Sequence, residues 1–170
     1  LIVAGGKRLR PGLTIVAAQI GGVPATDGAV QGGISCELVQ TGSLYHDDVM
    51  DEADTRRGVD TVNAKWGNLQ AILAGDFLLS RASEIAASLG TEVAGLLART
   101  IGRLCEGQIL ELQHTYDAQR AEDVYLKSIE GKTASLFRWA MAAGARAGRL
   151  DAPAAEALER YGRLVGVAFQ

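Results

Sequence analysis

The sequence predicts an all-α fold, an antiparallel helical bundle with a cavity between its helices, and three observations lead there. Long segments are rich in Ala, Leu, Glu and Arg, all good helix formers. Only three prolines interrupt the 170 residues, and no stretch shows the apolar–polar alternation of a half-buried strand. Hydrophobic residues make up 48% of the chain, enough to bury a sizeable core within one domain.

Helices are expected over 9–20, 27–50, 60–67, 69–89, 92–116, 121–128, 130–148 and 152–170, joined by short, Gly-marked connections. The first follows a basic turn, Gly5-Gly6-Lys7-Arg8-Leu9-Arg10-Pro11, and the second is long and ends in acids. A short third follows Arg56-Arg57-Gly58, and the fourth contains Gly75-Asp76. In the fifth, Val93, Leu96, Leu97, Ile101, Leu104, Ile109 and Leu112 hold one apolar stripe of a 3.6-residue helix, which reads as core. The seventh opens near Gly131-Lys132-Thr133, and the eighth runs to Phe169-Gln170. Helices of about 20 residues span about 30 Å each, so their bundle has room for a site between them. Residues 1–170 read as a single domain that starts without Met and stops inside an apolar helical pattern, so it is expected to be incomplete at both ends.

Net charge is only −3, which lacks the broad basic surface that nucleic acid or an anionic membrane selects. No run approaches the ~18 apolar residues of a membrane span, and no secretory signal opens the chain, so a soluble, cytoplasmic protein is expected. Cys36 and Cys105 stand too far apart in sequence to suggest a disulfide framework or a zinc quartet, and both are expected to be buried thiols.

Residues 47–54 hold five acids, Asp47, Asp48, Asp51, Glu52 and Asp54, where the second helix should end. Carboxylates at i and i+4 repel each other, and a helix C-terminus already carries partial negative charge, so something cationic should offset them. Asp47 and Asp51 share a face one turn apart and can approach the same divalent ion, while Asp48 points about 100° away. The spacing lacks the Gly of an EF-hand loop. Mg²⁺ suits it better, because that ion accepts one or two carboxylates when a substrate phosphate completes its shell. Arg56 and Arg57 follow, and guanidinium forks match phosphate oxygens. The ensemble reads as a diphosphate site; the plain alternative is a solvated helix end whose acids pair with those arginines. Gln40, Ser43, Asp47 and Asp51 recur along one face as a polar stripe able to line a cavity below the metal. Small residues at Gly42 and Ser43 would keep that cavity open, or would serve close helix packing.

The turn from Gly5 to Pro11 combines exposed backbone amides with three cations, which suits a second phosphate group or a merely solvated turn. It has no P-loop spacing. Lys132 and Thr133 at a helix start can hold a phosphate or simply begin the helix. Gly107-Gln108 inside the fifth helix calls for close helix approach or a polar contact to a ligand, since Gly costs about 1 kcal/mol there relative to Ala. His46 and His114 read as structural groups.

Taken together and in order, these motifs resemble the trans-isoprenyl diphosphate synthases, or polyprenyl synthetases, over the whole 170 residues. The resemblance implies the isoprenoid synthase type of bundle, a homodimer, and Mg²⁺-dependent head-to-tail condensation of isopentenyl diphosphate with an allylic diphosphate. It implies that Asp47 and Asp51, with Asp48 assisting, hold Mg²⁺ on the allylic diphosphate, which Arg56 also contacts. Lys7, Arg10, Gln40 and Arg57, helped by the backbone at Gly6, would hold isopentenyl diphosphate; Lys132, Thr133 and Gln170 would lie against the allylic substrate. Bulky aromatic residues at Gly42 and Ser43 would close the pocket early in this family, so a medium- or long-chain product, longer than farnesyl, is expected and would be handed to a membrane. The family pattern continues after Phe-Gln into a second aspartate-rich motif, where this sequence stops. Two rival readings are a class I terpene cyclase, which needs no second diphosphate pocket, and a non-catalytic subunit of a heteromeric synthase. Lys7, Arg10 and Arg57 argue against the first, and intact Asp47, Asp51, Arg56 and Lys7 against the second.

Overall fold

A computed structural model describes residues 4–22, 24 and 26–170. Among the described residues, eight α-helices carry the fold: α1 Leu9–Gln19, α2 Asp27–Met50, α3 Val62–Trp66, α4 Asn68–Ser88, α5 Thr91–Gln113, α6 Glu122–Ile129, α7 Ser135–Ala147 and α8 Ala152–Phe169. Their starts are chemically marked. The side chains of Thr26, Thr61 and Asp151 accept the amide hydrogens of Ala29, Ala64 and Ala154, satisfying donors that a helix N-terminus leaves free.

Two features depart from the expected string. Thr55–Arg56 and Val59–Asp60 pair as a small antiparallel hairpin, β1 and β2, across Arg57 and Gly58, both at positive φ (54° and 75°). Two such residues match a type I′ turn. Glu130–Ala134 forms a π-helical turn between α6 and α7, where continuous α-helix from residue 130 was expected. Such turns concentrate at functional sites.

Helix α7 is the centre of the bundle, contacting α1, α2, α5 and α8, and nearly every residue from Ser135 to Ala145 is buried. Its Leu136, Trp139 and Ala140 pack with Cys36 and Val39 of α2 and with Val93 and Leu97 of α5. Full burial pushes the Cys36 thiol up to about 12. Cys105 departs from expectation: it is exposed, because it falls on the other side of α5 and lines a cavity. The apolar stripe of α5 divides in the same way. Val93 and Leu97 are buried, whereas Ile109 and Leu112 are half exposed and face the cavity.

Helices α2 and α4 cross at Gly42 and Gly75. A methyl group on Gly42 would sit 3.0 Å from the Gly75 carbonyl oxygen, and one on Gly75 would overlap the His46 imidazole. Gly42 therefore serves close packing and does not line the cavity, so only Ser43 of the expected chain-length pair reaches it. His46 Nε2 lies 3.1 Å from the Ile72 carbonyl and 3.3 Å from Asp76, which ties the acidic end of α2 to α4.

Candidate active site

The acidic end of α2 is closed by its own backbone. The amide of Ala53 donates to the Asp48 carbonyl and that of Glu52 to the Val49 carbonyl, with Glu52 left-handed at φ 50°. This is a Schellman arrangement with Glu in the place usually taken by Gly, a strained conformation of the kind that clusters at functional sites. The chain beyond is fastened by Thr61, whose hydroxyl donates to the Ala53 carbonyl at 2.7 Å, and by Asn63, whose amide donates to the same oxygen at 3.0 Å. These bonds carry the hairpin back over the helix end and bring Arg56 and Arg57 to the acids.

A cavity of about 1030 Å³ opens at that point. It gathers residues from seven separate stretches of sequence. Gln40, Ser43, Asp47 and Asp51 form one wall along α2; Gly6, Lys7 and Arg10 approach from the segment before and within α1; Arg56 and Arg57 come from the hairpin; Lys132 and Thr133 come from the π turn; and Gln170 follows α8. Leu44 of α2, Leu79 of α4 and Ile101, Leu104, Ile109 and Leu112 of α5 contribute apolar lining. Of the expected site residues, Gly42 and Asp48 are the two that do not line it.

Asp48 is fully buried and turned toward the hairpin, where Arg56 Nε donates to its Oδ1 at 2.5 Å. One oxygen of its carboxylate is taken by that arginine, Oδ2 is buried with no partner among the described residues, and the 100° offset from Asp47 is why the group is turned away from the cavity. Asp47 faces the cavity. Burial pushes its carboxyl up, Asp51 and Asp48 add to that, and Lys132 and Arg56 pull the other way. Among the described residues, no three His, Cys, Asp or Glu side chains form a cluster able to hold a metal ion. Two carboxylates flanked by cations are nonetheless a fitting donor set for Mg²⁺, which keeps waters and takes substrate phosphate oxygens rather than demanding an all-protein cage.

The cations are pre-arranged. Arg57 donates from Nη1 to the Gly5 carbonyl, joining the hairpin to the basic turn. Arg10 stacks on Phe137 with Cζ 4.4 Å from the ring centroid, and its Nε is buried without a partner among the described residues. Burial lowers its pKa from the ordinary value, yet a guanidinium stays charged. Lys7 Nζ lies 5.7 Å from the centroid of Phe169. Across the cavity, the Thr133 hydroxyl donates to Gln170 Oε1 at 2.7 Å.

Lys132 donates to Glu111 Oε2 at 2.6 Å, and Glu111 was not foreseen from the sequence. Its signal was modest: it lies one turn beyond Gln108 on the same face of α5. Gly107 explains how the two elements meet. A methyl group there would sit 2.7 Å from the Ser128 carbonyl oxygen and 2.8 Å from the Gly131 carbonyl carbon. Gly107→Ala should therefore lower stability by about 1–3 kcal/mol through overpacking and displace the π turn. Urea unfolding checks this, and an unchanged midpoint would show that the contact is loose.

Comparison with known proteins finds relatives across the whole chain. The polyprenyl synthetase family model matches residues 1–170. Nonaprenyl diphosphate synthase of Mycobacterium tuberculosis is 44% identical over 173 residues, covering 100% of this chain and 51% of that protein. Geranylgeranyl diphosphate synthase of Methanosarcina mazei is 40% identical over 176 residues, covering 100% and 54%. The crystal structure of polyprenyl synthase from Caulobacter crescentus, complexed with calcium and isoprenyl diphosphate, superimposes with a TM-score of 0.95 at 40% identity, covering 100% of this chain and 52% of that one. The chain thus spans about half the length of the curated relatives it matches, and over that half it has the all-α fold of the polyprenyl synthases.

Proposed function

This chain belongs to the polyprenyl synthetase family, and from that premise we propose that it transfers a prenyl group from an allylic diphosphate to isopentenyl diphosphate, head to tail, giving a product longer than farnesyl. The observation that carries this reading is one cavity lined both by an acidic pair, Asp47 and Asp51, and by cations from three segments, Lys7 and Arg10, Arg56 and Arg57, and Lys132. That is cationic lining enough for two diphosphates.

Asp47 and Asp51 would hold Mg²⁺, which when bound would supply charge stabilisation for the leaving diphosphate. Arg56 and Lys132 offer donors to the same diphosphate as its C–O bond breaks, which favours the transition state over the ground state. Thr133 and Gln170 orient that end of the substrate. Lys7, Arg10, Gln40 and Arg57, with the backbone at Gly6, hold isopentenyl diphosphate so that its double bond forms the new C–C bond; the proton then lost goes to the departed diphosphate. Leu44, Leu79, Ile101 and Leu104 exclude water from the allylic cation. In this account Asp48 acts through Arg56.

Ser43 lies about 6 Å below Asp47, one helical turn, so Ser43→Phe should shorten the product. Labelled isopentenyl diphosphate with allylic primers, Mg²⁺ and the full-length protein gives product length directly. The same length in the variant would remove Ser43 from the path of the chain, and cyclised hydrocarbon from an allylic substrate alone would favour a terpene cyclase.

A homodimer is supported by Trp66, Leu69, Leu73 and Phe77, an apolar stripe along α3 and α4 that is 60–76% exposed. No helix among the described residues is long and apolar enough to cross a membrane. We place the reaction in the cytoplasm, with hand-off of the product to a membrane.

A further inference from the structure

The π turn at Glu130–Ala134 carries Lys132 and Thr133 into the cavity. Its closing bond runs from the Ser135 amide to the Glu130 carbonyl, so the turn inserts one extra residue between α6 and α7. Continuous α-helix competes with such a turn. Helix α7 is locked in the core, so relaxation would rotate α6 and the start of the turn by about 100° relative to it, and Lys132 would lose its present aim. Something must hold the extra residue in place.

On one side the turn rests against Gly107 and Glu111 of α5. On the other, Arg163, Gly166 and Gln170 lie at i, i+3 and i+7 along one face of α8 and its end, and all three meet the turn. Gly166 lets the helix backbone close in: a methyl group there would sit 2.4 Å from Ala134 Cα. Past it, Gln170 takes the Thr133 hydroxyl. Before it, Arg163 grips Glu130 with a fork of two bonds, Nε to Oε1 at 2.5 Å and Nη2 to Oε2 at 3.3 Å. Arg103 and Arg138 also lie near enough for Glu130 to sense, but Arg163 is the arginine bonded to it among the described residues. The residue whose carbonyl closes the π turn is thus the one tied to α8 by its side chain.

Neither side chain lines the cavity. At 45% and 35% exposure, Arg163 and Glu130 add little to overall stability, yet a bidentate fork fixes direction as well as distance. We propose that Glu130 and Arg163 are positioning residues, whose ion pair keeps the π turn in register and thereby holds Lys132 and Thr133 toward the allylic diphosphate. The effect on turnover rests on the condensation reading; the effect on the turn does not.

Hydrogen exchange of the full-length protein, read at the amides of 131–135, tests the turn. Arg163→Gln should speed exchange there about three- to fivefold, the most an exposed pair shifts an equilibrium, and leave the interior of α7 unchanged. Steady-state kinetics test the consequence. Arg163→Gln and Glu130→Gln should each lower kcat/KM for the allylic diphosphate about three- to fivefold with KM for isopentenyl diphosphate unchanged, and the double variant should lose no more than either alone. Arg163→Lys, which keeps the charge and gives up the fork, should fall between. Unchanged exchange at 131–135 in Arg163→Gln would overturn the clamp. Equal losses for both substrates, or additive losses in the double variant, would make the pair a general structural contact and overturn its positioning role. Absence of condensation by the wild-type protein would sink the condensation reading instead, with exchange still deciding the clamp.

Discussion

Asp47→Ala is expected to cut turnover by about 10²–10³-fold, the scale of removing one electrostatic stabiliser of a transition state, while leaving the folded protein at least as stable. Both halves follow from the same position. Asp47 ends a helix whose terminus is already negative, shares a face with Asp51, and has its carboxyl pKa raised by burial. A folded-state pKa above the unfolded value means that the folded protein holds the proton more tightly. Stability then falls as pH rises through the carboxylate range, so at neutral pH the charge is a cost that alanine removes. Steady-state turnover and a urea midpoint, measured on the same preparation, check the pair. Wild-type turnover would take Asp47 out of the metal site, and a large drop in midpoint would make it a structural residue.

The second large effect is on stability. Arg56→Ala should destabilise by about 3 kcal/mol, because it strands a carboxylate at Asp48 that has no access to water. Arg56 is itself partly exposed, which keeps the figure at the low end for a buried pair. Neutralising the stranded acid should then restore much of the loss, so Arg56→Ala/Asp48→Asn should be more stable than Arg56→Ala alone. A double-mutant cycle by denaturation measures this coupling. Two additive single effects would contradict the pairing and return Asp48 to the candidate metal ligands. Turnover of Arg56→Ala and of the double variant should stay low, since both lack the guanidinium.

These residues also mark how far the sequence could be read. The long helices were legible from their richness in good helix formers, with the apolar stripe of α5 as the clearest periodic case, and the face holding Gln40, Ser43, Asp47 and Asp51 does line the cavity. Asp48 was visible as the acid on the other face, but its partner depends on a hairpin of two-residue strands, too short to show any periodicity. The π turn has no local cause either. It forms where Gly131 and Lys132 press against Gly107, a contact between residues far apart in sequence, and the same approach brings Lys132 to Glu111. Gly42 illustrates the limit from the other side. A small residue below an acidic face can mean open space or close packing, and only the position of Gly75 decides for packing. For Ile109, Leu112 and Cys105, helical period predicted which side of α5 each occupies, not whether that side meets core or cavity.

The central claim is that one cavity holds two diphosphates, only one of them through a metal. Equilibrium titration of the full-length protein with a non-ionisable allylic diphosphate analogue and with isopentenyl diphosphate, each with and without Mg²⁺, tests it most directly. The analogue should bind only with Mg²⁺ and be lost in Asp47→Ala, and isopentenyl diphosphate should bind alongside it and be lost in Lys7→Ala/Arg10→Ala. Competition of the two ligands for one site, or analogue binding indifferent to both Mg²⁺ and Asp47, would contradict it.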